Sequence, residues 1–433
     1  RGLAPAPEPT DGWWAAARAA LAPSGTALLD GPTPPGLGFR LVALSPLAKA
    51  AAADPGLLGD AYAATRTDNP KAGRFYTPAE VVQAAFERPL SAGDRVIDPA
   101  CGGGRFLLGA LAAQPRARLD GVDVDAHAAS VCRAALWIAA GGRAPARIHV
   151  ADPLHDRALG GPGLPPGRFQ RVVGNPPYRA ARRGPLLQGD PQGYREHFQT
   201  AEYQLDPYIL FMELGLRALA PGGELAMVVP SAWAANHHTG RLRSLVVGQF
   251  RLAEWIELPL ATFAAGVETV LVRVVHDGRT GARVPVRSLQ GIPRGALLPD
   301  PDRPRAPLPL ARIPADEALL AASRAWTATL GDVAEITRGV NPYHHSTHSP
   351  AQISAKVHHA AVPRTPAWEP ELRGKDLAGP YRLWPGGEHW IRYGPWLKEP
   401  RAPRFHEGPR LLVRKVLGPT LCAVYLARRY VCD

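Results

Sequence analysis

The chain has 433 residues, 46% of them hydrophobic and 20% charged, with a formal charge of +12 and a pI near 9.9. That describes a globular protein with room for two or three domains and favours a polyanionic partner. No apolar run reaches the length of a membrane span and no signal peptide is visible, so a membrane partner is not expected. Cys101, Cys132, Cys422 and Cys432 form no C-x-x-C pair, which argues against a zinc ribbon or a disulfide framework and suits a reducing cytoplasm.

Residues 1–70 read as a Pro- and Ala-rich arm with helices, Trp13 and Trp14 serving as packing anchors. Because the chain begins with Arg1 and stops at Asp433 just after an apolar run, it reads as a fragment. Phe75-Tyr76-Thr77-Pro78-Ala79-Glu80 predicts a helix start, with Thr77 as N-cap and Pro78 at the first helical position. A strand over 94–98 ends at Asp98. Pro99-Ala100-Cys101-Gly102-Gly103-Gly104 follows, then a helix over 105–113. Strand, glycine loop and helix together cradle nucleotides, because glycine lets the backbone approach the ligand and the helix N-terminus follows. Alone, three glycines are weak evidence.

The next strand ends at Asp123, about 20 residues past the glycines, where an acid can take both ribose hydroxyls. A third, over 147–151, ends at Asp152, where a carboxylate can accept from an amino group. A fourth, over 169–173, runs into Gly174-Asn175-Pro176-Pro177-Tyr178. Two prolines cannot continue a strand, so the chain leaves the sheet at Asn175, on the edge where open α/β sheets hold ligands. The Asn175 amide oxygen and the Pro176 carbonyl are acceptors that can grip an exocyclic NH₂, and the Tyr178 ring can stack on the heterocycle carrying it. N-P-P is also an ordinary turn. A surface charge explains one acid easily, but not the ordered series along four strand ends.

The stretch after Tyr178, with Arg179, Arg182, Arg183 and Arg195, is too long for a plain connection and reads as a functional or mobile loop. A helix over 207–219 is expected to end on the Ala220-Pro221-Gly222-Gly223 cap, followed by strands over 224–229, 252–257 and 269–275. Residues 281–330 read as a linker with short strands. Residues 331–433 carry 15 Lys/Arg against 9 Asp/Glu, with Trp368, Trp384, Trp390 and Trp396 interleaved among them. The pairs His344-His345 and His358-His359 have no third ligand at a telling spacing, so no metal is expected.

T-P-x-E-V-V, D-P-A-C-G-G-G-R-F-L, G-V-D-V-D, A-D-P-L and G-N-P-P-Y, in this order, resemble the gamma-class DNA amino-methyltransferases, and within them the TaqI and Eco57I type of N6-adenine methyltransferase. The resemblance covers residues 58–275. I-T-R-G-V-N-P-Y (336–343) and L-R-G-K-D-L (372–377) are similar, less specifically, to the family's target-recognition domain. The resemblance implies an α/β, Rossmann-like class I S-adenosylmethionine-dependent methyltransferase domain over 71–280, with a mostly parallel seven-stranded sheet. A target-recognition domain over 331–433 would follow. S-adenosylmethionine would be the cofactor, with Thr77 near its carboxylate and Asp98, Ala100 and Gly102 lining it. Asp123 would hold its ribose and Asp152 its adenine. Asn175, Pro176 and Pro177 would grip the target amine, and Tyr178 and Phe263 would sandwich the flipped base. Arg179, Arg182, Arg183, Arg338, Arg373 and Lys375 would contact double-stranded DNA. A partner restriction or defence protein is part of the same expectation.

Three classes of function fit the residues. The first is a DNA amino-methyltransferase acting on adenine N6, with cytosine N4 as runner-up, since both present the same NH₂. The second is an RNA or protein-glutamine methyltransferase, which shares N-P-P-Y and the glycine loop. The third is a catalytically silent DNA-binding subunit.

Overall fold

The computed structural model describes residues 54–60, 77–143, 145–155, 164–178, 191–202, 205–262, 267–280, 283–326, 328–379, 382–383, 389–414 and 422–432. The chain divides into two compact units, Arg1–Ala321 and Ala322–Asp433.

In the first unit, helix α1 (Ala79–Ala85) precedes β1 (Arg95–Asp98), α2 (Arg105–Ala113), β2 (Arg118–Asp123), α3 (Ala126–Ala139), β3 (Ala146–Val150) and β4 (Phe169–Gly174). Then come α4 (Pro191–His197), α5 (Pro207–Ala218), β5 (Leu219–Pro230), α6 (Gly240–Gln249), β6 (Arg251–Glu257) and β7 (Thr269–Val275). The last strands are β8 (Val284–Ser288), β9 (Pro293–Leu297) and β10 (Leu310–Ala311). All ten strands form one sheet, in the order β10-β9-β8-β6-β7-β5-β4-β1-β2-β3. The five strands β1 to β5 are mutually parallel, and β7 is antiparallel to both neighbours. Mostly apolar runs such as Thr269–Val275, buried along their whole length, are what a sheet covered on both faces requires. The core is continuous from Val81 to Leu308. Among the described residues, no helix is long and apolar enough to cross a membrane.

Three expectations need correction. Residues 281–330, read as a linker with short strands, do form strands, but β8, β9 and β10 join the sheet edge, so it has ten strands rather than seven. The apolar alternation of Val284, Val286, Ala296 and Leu297 had been obscured by the surrounding Pro and Arg. Secondly, α5 does not end on a glycine cap: Leu219 is already extended, and β5 begins there, continuing through Gly222 and Gly223. Thirdly, α1 is preceded by Pro78 as N-cap with no side-chain cap, so Thr77 does not cap it.

Buried arginines of the sheet fix α1. The Arg171 guanidinium donates to the Ala85 and Arg88 carbonyls, both at 3.1 Å, and Arg273 donates to Ala84. These satisfy carbonyls that a helix end leaves without partners. Glu224 lies 3.1 Å from Arg171, and both are buried.

The second unit is built of short strands. Its four-stranded sheet places His359–Ala360, Trp390–Arg392, Trp368–Leu372 and Val431–Cys432 side by side. Val340, Ile391, Leu397 and Val431 form a small core there.

Candidate functional site

The C-terminal ends of β1, β2, β3 and β4 bring the predicted residues to one edge of the sheet. Asp98, 1% exposed, ends β1 and accepts from the Ala100 N–H at 3.0 Å. Burial, reinforced by the Asp123 charge and opposed by that N–H, lifts its pKa to about 8. At the end of β2, Asp123 accepts from the Gly102 N–H at 2.8 Å and from the Asp125 N–H at 2.8 Å. It thereby ties the glycine loop to the turn that starts α3. Asp152, after β3, accepts from the Leu154 N–H at 2.9 Å. Gly174, ending β4, has no side chain for good reason: a Cβ there would lie 2.7 Å from Asp98 Oδ1. This close approach sets the β1 carboxyl beside the start of N-P-P-Y.

Asn175 is half-buried, and its amide is engaged at both ends. Its Nδ2 donates to Thr77 Oγ1 at 3.1 Å, and its Oδ1 accepts from the Tyr178 hydroxyl at 2.5 Å. Thr77 and Tyr178 are buried, and burial raises the Tyr178 pKa. Pro176 is buried and Pro177 half-buried.

A contribution that sequence reasoning missed comes from residues 54–60. Arg105, first residue of α2, pairs with Asp60 and lies 3.6 Å from Asp54. Gly59 packs on the glycine loop so closely that a Cβ on Gly103 would stand 2.4 Å from its Cα. The available signal was a glycine within an Ala-rich helical stretch, which marks close backbone approach. The buried Cys101 thiol is raised by its contact with Cys132 and by burial, which leaves it unreactive.

Phe263, Arg179, Arg182 and Arg183 lie outside the described residues. In the second unit, Arg373 donates twice to Glu371, at 2.9 and 2.7 Å, and the exposed Arg338 reaches Glu399 at 3.3 Å. Lys375 is exposed. Among the described residues there is no group of three or more His, Cys, Asp or Glu side chains that could hold a metal.

The sheet thus presents a glycine loop, three carboxyls and a proline-bounded amide along one edge, at the C-terminal ends of its parallel strands. Residues 54–283, just over half the chain, match the profile of the N-6 DNA Methylase family, and the chain belongs to that family. It is 33% identical over 214 residues to the Type II methyltransferase M.PaeR7I of Pseudomonas aeruginosa, covering 43% of this chain and 36% of that protein. To the Type II methyltransferase M.XamI of Xanthomonas campestris pv. amaranthicola it is 29% identical over 245 residues, covering 53% and 45%. The chain thus spans less than half the length of these curated relatives. Among solved structures it is similar to a modification subunit of a putative type I restriction enzyme from Vibrio vulnificus YJ016, with 20% identity and a TM-score of 0.45. That match covers 66% of this chain and 60% of the other.

Proposed function

We propose that the protein transfers a methyl group from S-adenosylmethionine to N6 of an adenine flipped out of duplex DNA, as a gamma-class amino-methyltransferase. The observation that carries the reading is the Asn175 amide oxygen, which accepts a hydroxyl hydrogen at 2.5 Å at the end of β4, beside the acid-lined glycine loop. Membership of the N-6 DNA Methylase family favours adenine over cytosine.

The residues suit the cofactor. At Gly102 a side-chain carbon would meet nothing within 4 Å, so there is open space before the loop. The acids Asp98, Asp123 and Asp152 offer acceptors for amino and hydroxyl groups and negative charge for a cationic ligand. Asp98, Ala100 and Gly102 would line the cofactor, Asp123 would take its ribose and Asp152 its adenine. When bound, the cofactor supplies an electrophilic methyl group.

The chain's own work is orientation and electrostatics. An exocyclic amine is a poor nucleophile, because its lone pair is delocalised into the ring. Asn175 Oδ1 and the Pro176 carbonyl, each accepting one amine hydrogen, favour a tetrahedral nitrogen with its lone pair aimed at the methyl group. Pro177 rigidifies that turn, and the Tyr178 ring replaces the stacking lost on flipping. Phe263 is proposed as the opposite face of the sandwich.

Reading of sequence is assigned to the basic second unit. Arg338 and Lys375 would contact DNA, while Arg373 holds its own turn through Glu371. Arg179, Arg182 and Arg183 would meet phosphates near the flipped base. Such contacts predict duplex affinity that falls steeply with salt. A partner restriction or defence protein would act at the same site in DNA.

The test uses labelled cofactor and unmethylated duplex DNA, followed by digestion to nucleosides. N6-methyladenine is the expected product. N4-methylcytosine alone would move the specificity to cytosine, and label in RNA or protein with none in DNA would refute the reading.

A further inference from the structure

Thr77 sits at the threshold of α1, yet its hydroxyl does not cap that helix. Only 5% exposed, it instead accepts a hydrogen bond from Asn175 Nδ2 at 3.1 Å, across 98 positions of sequence. The opposite end of the same amide, Oδ1, accepts from the Tyr178 hydroxyl at 2.5 Å. Tyr178 is 3% exposed, so its hydroxyl bonds Asn175 from within the core. A hydroxyl thus holds each end of the amide on which the proposed chemistry depends.

The polarity of that amide matters. A carboxamide is an acceptor at one end and a donor at the other. A target amine offers hydrogens, so only Oδ1 can grip it. With the amide turned over, two NH₂ groups would face each other in a buried site, each without a partner, at a cost of about 1–3 kcal/mol. Something must therefore hold Nδ2 away from the substrate, and Thr77 is the group that receives it. α1 is itself clamped at its far end by Arg171 and Arg273, which gives Thr77 a fixed footing.

We propose that Thr77 is a positioning residue for methyl transfer: it holds the donor end of Asn175 so that Oδ1 faces the target amine, and the Tyr178 hydroxyl is a place-holder at Oδ1 until the base arrives. This rests on the reading of Asn175 as the amine-gripping residue. Arrival of the base exchanges one hydrogen bond for another at Oδ1, and the Tyr178 ring, released from Asn175, turns to stack on the base. Thr77 keeps its bond throughout.

The experiment measures S-adenosylmethionine affinity by calorimetry and single-turnover methyl transfer to unmethylated plasmid DNA, for the full chain and three variants. Transfer by the unaltered protein comes first: if it methylates neither adenine nor cytosine, the underlying reading fails, whatever Thr77 does. With transfer established, Thr77→Val should slow the step at saturating cofactor by at least about tenfold, the loss of one buried hydrogen bond, with cofactor affinity within about twofold. Thr77→Ser should restore the rate. A Thr77→Val protein of unchanged rate would overturn the proposal. So would one that loses about tenfold in cofactor affinity but transfers normally at saturation, because the hydroxyl would then serve the cofactor. If Thr77→Val fails to fold, Thr77→Ser and Tyr178→Phe decide. Tyr178→Phe keeps the ring but removes the competitor for Oδ1, so it should bind DNA as well or better. A slow Thr77→Ser, or a Tyr178→Phe protein that binds DNA more than about tenfold more weakly, would refute the arrangement.

Discussion

Cofactor binding should depend on pH through Asp98. Its carboxyl is 1% exposed and burial lifts its pKa to about 8, with Asp123 adding to the rise and the Ala100 N–H opposing it. Below that value the free protein holds a proton there. A cationic ligand favours the ionised form, so binding must expel the proton. Affinity should then rise with pH and level off above 8. With the ionised fraction falling from one half at pH 8 to about one hundredth at pH 6, affinity should drop about fifty-fold over that interval. The cofactor's own α-amino group titrates near the same range, with an ordinary pKa of about 7.7–8.0, so an internal control is required. Asp98→Asn supplies it: the asparagine cannot titrate, and whatever slope remains belongs to the ligand. Calorimetry at pH 6, 7 and 8, in buffers of different ionisation enthalpy, would also count the released proton. A slope in Asp98→Asn equal to that of the unaltered protein would refute the reasoning. The same shift has a stability consequence. The folded state holds a proton that the unfolded chain has released, so the contribution of Asp98 is present at acid pH and is lost as pH rises through about 8.

Asp123→Ala should weaken S-adenosylmethionine by at least roughly tenfold in calorimetry, because it removes a charged acceptor and releases the Gly102 N–H. Gly103→Ala should drive residues 54–60 off the glycine loop, since the new Cβ would lie 2.4 Å from Gly59. Earlier proteolysis there and a loss of about 1–3 kcal/mol in denaturant unfolding are expected. Arg171→Met strips Glu224 of its 3.1 Å partner and the Ala85 and Arg88 carbonyls, at and just past the end of α1, of their donors, and should cost about 3–5 kcal/mol by urea unfolding. His358 is held below the usual imidazole range by burial and by His348, Arg392 and His359, and its Nε2 lies 3.0 Å from that of His348. The unfolded chain therefore takes up a proton first, and the second unit should lose thermal stability as pH falls below about 6.5. His348→Asn should soften that loss.

The site edge was legible because its signals are local. Strand, break and acid repeat at Asp98, Asp123 and Asp152, and each carboxyl is engaged by a backbone N–H no more than two residues on, or by the neighbouring loop. The sheet edge was legible only in part: short strands were expected over 281–330, but Val284–Ser288 and Pro293–Leu297, interrupted by Pro and Gly, gave no sign that they join the main sheet by pairing with β6 and with each other. Residues 54–60 were hard to place for a different reason: Gly59 in an Ala-rich helical stretch marks a close backbone approach, but nothing in either segment names Gly103 as its partner.

Thr77 shows how a correct motif can hide its own function. T-P followed by a helical run fits an N-cap, and the helix is there, but capping is a local bond that a longer-range partner can replace. The first turn of α1 is served through the Pro78 carbonyl, which accepts from Val81 at 3.1 Å and Val82 at 3.2 Å. That leaves the hydroxyl available to a group that the sheet delivers from the end of β4. The same division of labour recurs at the far end of α1, where arginines from β4 and β7 donate to the Ala85 and Ala84 carbonyls that a glycine cap would otherwise serve. The C-terminal end of this short helix is thus bonded to arginine side chains of the sheet, and Thr77, just before its start, is bonded to the Asn175 side chain at the sheet edge. A helix held in this way keeps its register against β4, and the register is what sets Thr77 at hydrogen-bonding distance from Asn175. Loosening the arginine grip should therefore reach methyl transfer as well as stability. Arg171→Met should lower the single-turnover rate in the same direction as Thr77→Val, and a protein that lost stability while keeping its full rate would show that α1 needs no such footing.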